Sequence, residues 1–109
     1  MMRDAGLEEL VLERIGGLPG LTEKAMFGGR TWLLDGHLLC GASDRGLMVR
    51  LGKGNDGWAL ALPDIHQLDG SRPYPGWVVA GPEAYADDAL RLRLLDAALA
   101  FVRAQPAKL

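Results

Sequence analysis

The pair Asp35-Gly36 stands between two apolar runs, residues 31–34 and 37–41. Two adjacent residues that tolerate positive φ, flanked by such runs, specify a type I′ turn whose twist matches the strands it joins. An antiparallel hairpin is thereby fixed by purely local chemistry. A second turn, Ser43-Asp44-Arg45-Gly46, leads into residues 47–51. There Leu47, Val49 and Leu51 alternate with Met48 and Arg50, as a half-buried strand requires. The expected result is a three-stranded meander.

Two longer helical patterns bracket it. Asp4 is placed to cap a helix over residues 5–16, Glu8 and Glu9 suit its positive end, and Leu7, Leu10, Val11 and Ile15 recur at helical spacing. Gly16-Gly17 and Pro19 stop it. Asn55 or Asp56 can cap a short helix through Trp58, Ala59 and Leu62, which Pro63 ends. Residues 65–68 and 77–80 read as strands, the second entered through Arg72-Pro73-Tyr74-Pro75-Gly76 and broken by Gly81-Pro82. Asp87 or Asp88 starts the last helix, with Leu90, Leu94, Ala97, Ala98, Phe101 and Val102 as its apolar stripe. The predicted order is α-β-β-β-α-β-β-α. Both long helices need a surface to cover, so the expected architecture is a two-layer α+β sandwich on an antiparallel sheet.

With 109 residues, the chain has room for one core, a single domain over residues 1–109. Twelve Lys+Arg against fourteen Asp+Glu, a formal charge of -2, argue against a dedicated DNA binder. No run approaches the ~18 apolar residues of a membrane span, and no signal-like apolar region follows Met1, so no membrane partner and a cytoplasmic location are expected. Cys40 is the only cysteine; it can form no internal disulfide and cannot by itself supply the thiolates of a typical structural zinc site.

Thr22-Glu23-Lys24-Ala25-Met26-Phe27-Gly28-Gly29, the Asp35-Gly36 hairpin, Leu47-Met48-Val49-Arg50-Leu51 and Arg72-Pro73-Tyr74-Pro75-Gly76-Trp77-Val78 follow one another in an order that resembles the TfoX (Sxy) N-terminal domain family. The resemblance covers nearly the whole chain. It implies a secretion-chaperone-like fold of order α-β(3)-α-β(2)-α. It also implies a regulator that acts through a protein partner, a transcription factor such as the cyclic-AMP receptor protein. Two-domain relatives carry a C-terminal domain that has no counterpart here, so the chain is expected to be a single-domain member, with homodimerisation as a further expectation.

Each chemical motif has a structural alternative. Gly52-Lys53-Gly54-Asn55-Asp56-Gly57 spells G-x-G-x-x-G, but Pro63 stops the following helix too early for a dinucleotide fold, so a loop is expected and no cofactor. Met26 and Phe27 are expected to pack into the core beside a bend at Gly28-Gly29. His37 and Cys40, three apart on one strand, should face opposite sides, with His37 toward solvent, which leaves no shared metal site and no Cys/His nucleophile pair. No catalytic residue is expected. Residues 24–54 hold five cations against Asp35 and Asp44, and charged residues on an exposed strand also deter wrong pairing. Trp32, Trp58 and Trp77 are numerous for so small a domain. The expected interaction surface is therefore Arg30, Trp32, Arg45, Arg50 and Lys53, on one uncovered sheet face or edge. A protein-interaction module without enzymatic activity is the leading reading. A nucleic-acid-associated accessory domain and a small-ligand binder are the alternatives.

Overall fold

The computed structural model describes residues 3–26, 28–69 and 74–106. Helix α1 (Ala5–Ile15) begins where the Asp4 carboxylate accepts a bond from the Leu7 amide at 3.1 Å, and it buries Leu7, Val11 and Ile15. Strands β1 (Leu21–Met26), β2 (Gly29–Leu34), β3 (His37–Ser43) and β4 (Gly46–Arg50) follow as a meander. Asp35 and Gly36 both have positive φ, 50° and 84°, as the expected turn demands. Then come α2 (Gly57–Leu60), β5 (Ile65–Gln67), β6 (Trp77–Ala80), α3 (Pro82–Tyr85) and α4 (Asp88–Arg103). Asp87 caps α4 through the Leu90 amide at 3.0 Å.

The α+β antiparallel architecture is present, with two additions to the expected order. Strand β1 falls where no element is expected, because four consecutive exposed residues, Thr22 to Ala25, show no alternation. Helix α3 is a single turn held from a distance. Asp64 Oδ2 accepts bonds from the Glu83 and Ala84 amides, a contact that no local pattern announces.

The sheet order is β1-β2-β3-β4-β6-β5, every neighbouring pair antiparallel. Helices α1 and α4 cover one face, where Val11, Ile15, Leu39, Cys40, Leu47, Val49, Val78, Leu94, Leu95 and Ala98 are wholly enclosed. The opposite face is not bare. Met48, Leu68 and Trp77 are buried there, flanked by Leu38, Tyr74 and Val79. Strand β4 is thus buried on both faces rather than half-buried, since it lies in the middle of the sheet with β3 on one side and β6 on the other.

Strand β3 carries a bulge. Trp32 faces Cys40 but Leu33 faces Leu38, so Leu39 has no partner on β2. The extra residue shifts the alternation: His37 pairs with the core residue Leu34 and so shares the helix-covered face with Cys40. His37 is accordingly buried, not solvent-facing, and its Nε2 meets the Pro106 carbonyl beyond α4.

Candidate functional site

The five residues expected to form one surface do not converge. Arg45 lies in the β3–β4 turn at one end of β4, where its guanidinium donates to the Asp69 carbonyl at 3.2 Å. Arg50 ends the same strand, with its guanidinium carbon 5.3 Å from the Phe101 ring centroid and a 3.4 Å bond to the Leu38 carbonyl. Five strand residues separate the two ends by about 17 Å. Lys53 is exposed in the following loop. Arg30 sits on β2 beside Glu23, 3.7 Å away. Trp32 is 1% exposed and belongs to the core rather than the surface.

The G-x-G-x-x-G segment is explained by packing. The Leu51 and Gly52 amides both donate to the Gly76 carbonyl, at 2.8 and 3.2 Å. A Cβ on Gly76 would stand 2.4 Å from the Gly52 carbonyl carbon, and one on Gly52 would stand 2.5 Å from the Phe101 ring. Two backbones cross there with no room for side chains. Helix α2 has four residues and Asp56 makes no side-chain cap bond, so the segment lacks the long helix start that a dinucleotide site uses. Phe27, Arg72 and Pro73 lie outside the described residues. No group of three or more His, Cys, Asp or Glu placed to hold a metal occurs among the described residues.

What the sequence reading missed is the region between α1 and β1. Helix α1 covers β3, and β1 projects past it as an edge strand. Leu12, Gly16 and Gly17 of the α1 end, Leu21, Thr22 and Glu23 of β1, and Trp32 beneath them line a shallow groove of about 220 Å³. Leu12 is 40% exposed, an apolar side chain left at the rim. The Trp32 Nε1 is buried and has no hydrogen-bond partner among the described residues, an uncommon condition for an indole N–H.

The free edge of β1 has a definite polarity. The Gly20 carbonyl accepts from the Asp35 amide at 3.0 Å, and antiparallel ladders alternate bonded and non-bonded pairs. With the register Leu21↔Leu34 to Met26↔Gly29, the even-numbered residues face β2. Leu21, Glu23 and Ala25 therefore turn their N–H and C=O groups outward. At the start of α1 the charges alternate. Arg3 Nε and Nη2 bind the Glu8 carboxylate at 3.0 and 2.7 Å, and Arg30 and Glu23 pair nearby. The hydrogen bonds from Arg3 hold the Glu8 carboxyl below the usual carboxylate range. The signal that could have found this edge is the Glu23-Lys24 pair within a six-residue segment devoid of Pro and Gly, a weak one by itself.

Comparisons with protein-family models, with curated proteins and with solved structures give no match.

Proposed function

We propose that this chain is a cytoplasmic protein-interaction module without chemistry of its own, a regulator working through a protein partner in the manner of the TfoX N-terminal domain proteins its motifs resemble. The observation that carries the reading is the six-residue edge strand β1, exposed at four positions and running beside an open, partly apolar groove. Long edges are places where another chain can pair, and β1 carries Glu23 and Lys24, charges of the kind that restrict which chain does so. The opposite edge, β5, has three residues.

Further support comes from how the acidic groups are employed. Asp4, Asp64 and Asp87 cap helices, Glu8 holds Arg3, and Asp96 bridges α4 to Arg14 of α1 at 2.6 Å. These carboxylates perform structural tasks. The nucleic-acid reading draws less support, because Arg45 and Arg50 sit at opposite ends of β4 and Arg30 is paired with Glu23. No helix among the described residues is long and apolar enough to cross a membrane.

The test is affinity purification of the tagged chain from its native host, with and without nuclease, followed by mass spectrometry. Nuclease-resistant recovery of one protein at stoichiometric yield is expected. Recovery that vanishes with nuclease would transfer the reading to nucleic acid, and recovery of nothing specific would reject both.

A further inference from the structure

The free edge of β1 constrains what can pair with it. Leu21, Glu23 and Ala25 offer the outward amides, and they also point to the helix-covered face, since Leu21 and Glu23 oppose the core residues Leu34 and Trp32. A strand added antiparallel must place bonded residues against these three.

A second copy of this chain meets a difficulty in doing so. An antiparallel pair of identical edges has its two-fold axis through a pair of identical residues, so outward residues face outward residues. The two registers with the greatest overlap set Glu23 against Glu23 or Lys24 against Lys24, like charges directly opposed. The favourable juxtaposition, Glu23 against Lys24, would need an inward-facing amide to turn outward. Self-pairing is therefore disfavoured by the strand's own charge order.

We infer that β1 accepts an extended strand from a different protein, bound antiparallel, whose side chains read acidic, basic, any residue, large apolar in chain order. The acidic residue falls opposite Lys24, which makes no ion pair among the described residues. The basic residue falls opposite Glu23, whose side chain is 53% exposed and held by a single 3.7 Å contact to Arg30. The apolar residue falls opposite Leu21, where the groove between Leu12 and Trp32 opens. This inference rests on the interaction-module reading and specifies its mode.

The probe is a fluorescein-labelled decapeptide with a central aspartate-lysine-threonine-leucine run, titrated with the full chain and followed by anisotropy. Saturable binding is expected, and exchanging the aspartate and lysine should weaken it about two- to fivefold. Lys24→Glu should reduce that preference. Ala25→Pro removes an outward N–H without touching the β1–β2 ladder and should weaken binding by about tenfold or more with little change in melting temperature. Leu12→Glu, on the exposed rim of the helix, does the same from the groove side and serves should the proline variant fail to fold. Equal affinity for both peptides, or wild-type affinity in a folded Ala25→Pro or Leu12→Glu chain, overturns the inference. So does a sedimenting dimer that Ala25→Pro converts to monomer, since a second copy would then cover the edge. If a partner protein is still captured by Ala25→Pro at the wild-type level, the interaction module stands and only the edge mode falls.

Discussion

Cys40 lies fully enclosed between the sheet and the covering helices, and burial pushes its thiol well above the ordinary range. Its reaction with a neutral-pH thiol reagent is expected to proceed at the rate of global unfolding; fast labelling of the folded chain, read by mass spectrometry, would contradict that enclosure. Glu8 behaves in the opposite sense. Its folded-state carboxyl sits below its unfolded value because Arg3 binds the anion. The contribution is present above the unfolded carboxylate range and is lost as the pH falls through the depressed value. Glu8→Gln should accordingly melt below wild type at pH 7, and the difference should close on acidification. The caps at Asp4 and Asp87 were readable because a capping bond spans three residues, within one sequence window. The place of His37 was not, since the bulge that buries it depends on how β3 registers against β2.

At the scale of elements, strength of periodicity separates what could be read from what could not. Helix α4 announces itself through a stripe of which Leu94, Ala98 and Val102 are buried and Leu90, Ala97 and Phe101 half-buried, while Leu95 and Leu99, outside the expected stripe, are buried too. Leu94→Ala is expected to cost about 2–5 kcal/mol, measured as a shift in the denaturant midpoint. Strand β1 and helix α3 lack such a signature: one is exposed along most of its length, and the other depends on a carboxylate about twenty residues upstream. The crossing of Gly52 and Gly76 is a third case, in which a sequence motif suggests a ligand loop and the geometry supplies a packing reason. Gly76→Ala combines a φ of +85° with an overlap on the Gly52 backbone. It should destabilise by more than about 1–2 kcal/mol, while saturating nucleotide leaves the melting temperature of the wild type unmoved.

For the molecule as a whole, the three meander strands β2 to β4 were legible because the turns that join them are local, whereas the insertion of β6 between β4 and β5 joins residues about thirty apart and leaves no local mark. The residues expected to form the interaction surface are not brought together, for a related reason. Composition counts cations and tryptophans but does not say that Trp32 faces inward or that Arg45 and Arg50 diverge. With a net charge of -2 and its cations dispersed, the chain is expected to show no affinity for duplex DNA even at low salt, and a salt-dependent gel shift would contradict this. The two borders of the sheet differ in reach, six residues at β1 and three at β5. If a strand adds at β1 as inferred above, one addition fills the longer border and leaves only the three-residue one, so the expected product is a one-to-one complex and not a growing filament, read by sedimentation of the mixture.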